Sequence, residues 1–171
     1  MASNEPINLT EWKPRLPARQ GGRLFTCGRP GRATFGTDRS PVHENTIDRW
    51  AMGLPEAEVV HIVSLLGHKK GGFSEFGYYP FRSSKECEEK PTFQEWLDQH
   101  YSRRFVVHEF PTHDREGLPR AVLEAVRRCV LDLIENDNTV VVVDSAGAER
   151  TARVCEAIGY ERMVQRLGDA T

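Results

Sequence analysis

The sequence has no uninterrupted apolar run approaching the roughly 20 residues that a membrane-crossing helix needs. It has no Cys-x-x-Cys pair: Cys27, Cys87, Cys129 and Cys155 stand far apart, so metal-site spacing is absent. It has no excess of charge of either sign. Lys and Arg number 23 and Asp and Glu 25, for a formal net charge of −2. That balance argues against bulk attraction to nucleic acid or to an anionic membrane, and leaves only a local patch as a charged surface. Internal repeats and low-complexity tracts are absent as well. The opening Met-Ala-Ser-Asn-Glu-Pro lacks the basic start and apolar stretch of a secretion signal. The expected compartment is therefore the cytoplasm, where the four cysteines are expected as free thiols, mostly small core fillers.

What is present is 171 residues, 39% hydrophobic and 28% charged, enough for one domain with a buried core and too apolar for a disordered tail. Residues 1–22 are polar and Pro-rich and read as an arm, leaving 23–171 as a single domain. Residues 23–27 form a candidate strand, closed by the Gly28-Arg29-Pro30-Gly31 turn. Residues 46–53 suit a short helix, with Ile47, Trp50 and Met52 supplying its apolar surface. Residues 59–66 are short, β-branched and nearly continuous, as expected of a strand buried on both faces. His61 within it reads as a structural histidine.

Residues 67–91 have no clean period. Phe73, Phe76, Tyr78, Tyr79 and Phe81 lie there near Lys69, Lys70 and Arg82. Rings beside basic groups can grip a ligand; the reading preferred is that they pin a long loop to the body. Thr92 is a candidate N-cap for a helix over 92–101, with Phe93, Trp96 and Leu97 at spacings of three and four. A strand is expected over 104–110 and a helix from Pro119 to about Asn136, striped by Val122, Val126, Cys129, Val130, Leu133 and Ile134. Residues 139–143 carry four consecutive valines, a buried strand. A helix follows to about Ile158, with Gly159 as its stop. Strands alternating with helices predict an α/β fold with a central, mostly parallel sheet flanked by helices.

Between the valine strand and the last helix lies Asp-Ser-Ala-Gly-Ala-Glu-Arg-Thr, residues 144–151. A buried strand, a tight glycine loop and a helix start together form an oxyanion cradle: loop amides point inward and the helix dipole adds positive potential. Gly147 permits close backbone approach, and Arg150 offers a planar fork to phosphate oxygens.

These residues resemble the signature loop of the dual-specificity and tyrosine phosphatases, His-Cys-x-x-Gly-x-x-Arg-Ser/Thr. Gly147, Arg150 and Thr151 align with its Gly, Arg and Ser/Thr. Upstream, His-Glu-Phe-Pro-Thr-His-Asp-Arg-Glu-Gly-Leu-Pro is similar to that family's general-acid loop. The resemblance spans roughly residues 23–158 and implies a phosphatase-like α/β fold. It implies Asp114 as general acid, Arg150 as phosphate clamp and Thr151 as the hydroxyl beside the nucleophile. Ser145, Ala146, Gly147, Ala148, Glu149 and Arg150 would line the cradle. It implies no cofactor and no metal.

The sequence departs from that pattern at two adjacent positions. Asp144 stands where the family has its nucleophilic cysteine, and Val143 where it usually has histidine. The sequence also stops soon after Arg150, so the family's closing helices are expected to be reduced. Aspartate is ordinarily an anion at neutral pH, and its repulsion of a unit charge ~4 Å away is about 4 kcal/mol at an effective dielectric of ~20. The expected function is a pseudophosphatase that binds a phosphorylated protein, a small phosphate ester or a protein partner, without membrane or nucleic acid. One alternative is an active phosphomonoester phosphatase, with Asp144 as nucleophile or the chain as a variant of a cysteine enzyme. Another is an inactive rhodanese-like domain, which also shows Asp in a similar loop. His113 reads as a neighbour of the acid and Glu116 as its substitute. Glu149 reads as a solvent-facing helix-start charge. His100, His108, His113 and Cys87 do not read as a metal site.

Overall fold

The structure, a computed structural model, describes residues 9–16, 21–31, 41–67, 75–102, 104–112, 117–145 and 148–163. Its strands are β1 (Thr10–Pro14), β2 (Arg23–Gly28), β3 (Val60–Ser64), β4 (Phe105–Glu109), β5 (Thr139–Asp144) and β6 (Tyr160–Arg162). Its helices are α1 (Glu44–Met52), α2 (Phe93–Tyr101), α3 (Arg120–Glu135) and α4 (Glu149–Ala157), with a 3-10 turn at Glu75–Tyr78. The strands form one six-stranded sheet in the order β4-β3-β5-β2-β1-β6. β4, β3, β5 and β2 run parallel, while β1 lies antiparallel to both β2 and β6.

The valine run explains why β5 is central. Val141 and Val143 face one hydrophobic cluster, with Trp50 of α1 and Phe93, Trp96 and Leu97 of α2. Val140 and Val142 face the other, with Val126, Val130 and Leu133 of α3 and Val154 of α4. A strand buried on both faces has no polar side to show, so its sequence is continuous rather than alternating. The result is the helix-flanked, mostly parallel sheet expected from the sequence.

Two local readings are refined. Residues 1–22 were expected as an arm, yet residues 10–14 are a strand of the sheet. Trp12 is buried there and donates from Nε1 to Thr26 Oγ1 at 3.0 Å. In the irregular stretch 67–91, the rings of the described residues pack inward. Tyr79 stacks on Phe81 at 4.8 Å between centroids and Phe81 on Phe93 at 4.4 Å, so these aromatics are core. Phe73, Lys69 and Lys70 lie outside the described residues.

Helix starts follow local chemistry. α2 opens on a capping box: Thr92 Oγ1 accepts from Glu95 N at 3.2 Å, and Glu95 Oε2 accepts from Thr92 N at 2.7 Å. That contact, through the two hydrogen bonds with Thr92, holds the Glu95 carboxyl below its ordinary range. Pro119, expected in the first turn of α3, sits at its N-cap position. Gly22 passes the end of α3 so closely that a Cβ there would lie 1.9 Å from Asn138 O.

Candidate functional site

The parallel strands β2, β3 and β5 all end at one edge of the sheet, and the residues that follow them meet there. Asp144 is the last residue of β5 and is only 2% exposed. Its Oδ2 accepts from the backbone N–H of Thr151 at 3.1 Å. Thr151 is the third residue of α4, and the N-cap residue, Ala148, has no side chain able to satisfy that amide. Asp144 therefore does from the preceding strand what an N-cap side chain ordinarily does, and its charge suits the helix dipole.

Arg150, in the first turn of α4, is 5% exposed. Its Nη1 donates to Leu65 O at 3.1 Å and to Thr112 Oγ1 at 2.7 Å, and its Nη2 donates to Ser145 Oγ at 2.8 Å. Nη2 also lies 3.7 Å from Glu75 Oε1. Ser145 Oγ donates to the same Glu75 oxygen. Glu75 Oε2 accepts from Gly67 N at 2.6 Å, and Thr112 Oγ1 donates to Leu65 O at 2.6 Å. One guanidinium thus joins the segment after β3, the 3-10 turn, the segment after β4 and the loop after β5. Burying a guanidinium is tolerable only with such a set of acceptors.

Of the expected site residues, Asp144, Ser145, Arg150 and Thr151 come together. Ala148 and Glu149 are exposed at the start of α4. The Thr151 hydroxyl donates to Ala148 O at 3.3 Å. Asp114, with its neighbours His113 and Glu116, and the cradle residues Ala146 and Gly147 lie outside the described residues. Glu75, Thr112 and Arg29 were not singled out from the sequence as site residues. A lone carboxylate inside an aromatic run was the one signal available for Glu75.

Cysteine does not enter by another route. Cys27 pairs in register with Val143, next to Asp144, and is fully buried. Burial, with a smaller contribution from the Asp144 carboxylate, pushes its thiol up to about 12, so it stays protonated. Cys155 and Cys129 are also pushed up by burial, and Cys87 is exposed. Among the described residues no group of three or more His, Cys, Asp or Glu side chains could hold a metal ion. His108 instead meets His61, Nε2 to Nδ1, at 3.0 Å. No helix among them is long and apolar enough to cross a membrane.

Comparison with solved structures finds a likeness to kinase associated phosphatase, crystallised with its catalytic-site cysteine replaced by serine. The likeness has a TM-score of 0.57 at 15% identity and covers 91% of this chain and 74% of that chain. No family model and no curated protein matches the sequence. The chain has the α/β fold of that phosphatase.

Proposed function

We propose that this chain is a pseudophosphatase: a phosphatase-fold protein whose loop over 144–151 binds a phosphorylated protein, a small phosphate ester or a protein partner without hydrolysing it. The observation that carries this reading is the Asp144 carboxylate, buried and bonded to the Thr151 amide. A nucleophile must present a lone pair to phosphorus at the open face of the cradle. A side chain committed to holding the first turn of α4 is turned to a different task. Its charge also opposes an incoming phosphate, by about 4 kcal/mol per pair of unit charges at ~4 Å and an effective dielectric of ~20. Arg150 and the dipole of α4 offset part of that.

A second reading, an active phosphomonoester phosphatase, has one observation in its favour. The Arg150 to Thr112 hydrogen bond ties the loop to the chain two residues before Asp114, which suits Asp114 as general acid. Aryl phosphate turnover separates the two. The expected result is no turnover in the unmodified protein above the Arg150→Ala background. Turnover that vanishes in Arg150→Ala, or an acyl phosphate trapped on Asp144, would sink the pseudophosphatase reading. Asp144→Cys, alone and with Val143→His, is expected to gain activity, since it returns the thiolate the cradle stabilises.

A further inference from the structure

A cavity of about 370 Å³ opens between α4 and the strands β1, β2 and β6, a volume of small-molecule size. Its floor is Trp12 and Thr26, joined by the hydrogen bond from Trp12 Nε1. One wall is α4, where Ala148, Ala152 and Glu156 follow one another at intervals of four residues and so share a face. Alanine at 148 and 152 leaves the space above the indole open. The opposite wall is β6. Arg162 is the Cα partner of Trp12 in the antiparallel pair, so its side chain rises on the same face of the sheet as the indole.

Charges of both signs surround this space. Arg15 and Arg162 supply two cations, Glu156 and Glu161 two anions. Among the described residues the Arg162 side chain meets only Thr10 Oγ1, at 3.3 Å, while Arg15, Glu156 and Glu161 make no side-chain hydrogen bond or ion pair. Glu156 and Arg162 stand on facing walls, one on a helix and one on a strand, so the backbone keeps them from closing on each other. A ligand with a single charge is drawn by two of the four groups and opposed by the other two. A ligand with one charge of each sign meets both kinds at once.

We propose that this cavity binds a free α-amino acid with an apolar side chain. Its carboxylate pairs with Arg162, its ammonium with Glu156, and its side chain lies against Trp12 and Ala152. The planar fork of Arg162 matches a carboxylate. This site does not rest on phosphate binding at residues 144–151.

The test is NMR titration of the full chain with leucine, methionine and phenylalanine, read at the indole N–H of Trp12. N-acetyl-leucine lacks the ammonium and leucinamide lacks the carboxylate. Each is expected to bind about tenfold or more weakly than leucine. Glu156→Gln is expected to weaken leucine by about tenfold while N-acetyl-leucine changes by less than about threefold. Arg162→Gln is expected to do the same with leucinamide as the insensitive compound. Ala152→Phe, which fills the cavity, is expected to abolish binding. The urea midpoint of each variant is measured alongside, and if Ala152→Phe does not fold, the two charge variants, both at exposed positions, decide. No shift with any of the three amino acids overturns the proposal. So does equal affinity for leucine and its two singly charged forms, or leucine binding left unchanged in either charge variant.

Discussion

A thiol and a carboxylate at the end of β5 differ in what they can hold. The Asp144 carboxylate reaches the Thr151 amide at 3.1 Å and supplies the acceptor that Ala148 lacks. Stability should therefore depend on that acceptor. Asp144→Ala is expected to lose about 0.5–2 kcal/mol, the usual range for a lost cap, while Asp144→Asn, which keeps an oxygen, loses less. Urea denaturation measures both, and equal stability of the two variants would remove Asp144 from this structural role. Arg150 belongs to the same scale. From the sequence it is a fork aimed at phosphate, but its fold-borne partners are Leu65 O, Thr112, Ser145 and Glu75. Those partners come from four separate segments, so no spacing in the sequence announces them.

Among the elements, α2 is the most self-contained. Thr92 and Glu95 stand three residues apart, as a capping box needs, and Phe93, Trp96 and Leu97 fall on one buried face. Its position was legible from its own residues because helix contacts are local. Removing the cap with Thr92→Ala is expected to cost about 1 kcal/mol in urea denaturation, with the fold retained. An unchanged midpoint would show that packing of the aromatic face alone holds the helix. β1 is the opposite case. Thr-Glu-Trp-Lys-Pro offers a single buried aromatic, and the strand exists through its pairing with β2 and, from far along the chain, with β6. Strand propensity reflects such context more than the residues themselves.

At the scale of the whole molecule, β3 and β4 bring His61 and His108 together from opposite sides of α2 in the sequence. Burial lowers both imidazoles from their ordinary value near 6.5, with the charge of His61 a further cause for His108. The unfolded chain therefore binds more protons than the native one just below that value, and stability rises with pH there. Stability is expected to be full above about pH 6.5 and to fall as pH drops through it, above the carboxylate range. Urea midpoints at pH 5.5 and 7.5 measure this, and His108→Gln is expected to flatten the difference. A midpoint that rises on acidification would contradict the direction given for the pair.

The sequence by itself determined the alternation of strands and helices, the central valine strand and the loop at its end. Each rests on short-range pattern: continuous burial, helical period, a glycine loop before a helix start. It also determined that residue 144 is not a cysteine. Only the tertiary structure decided what that residue does, because the Asp144 carboxylate and the Thr151 amide meet through the turn into α4. The meeting of Glu75 with Arg150 and Arg29 was likewise decided only there. Those three side chains come from distant parts of the chain, and what joins them is the parallel sheet, which delivers the ends of β2, β3 and β5 to one edge. Buried charge accepts a place only beside its partners, and which partners are in reach is a property of the packed sheet.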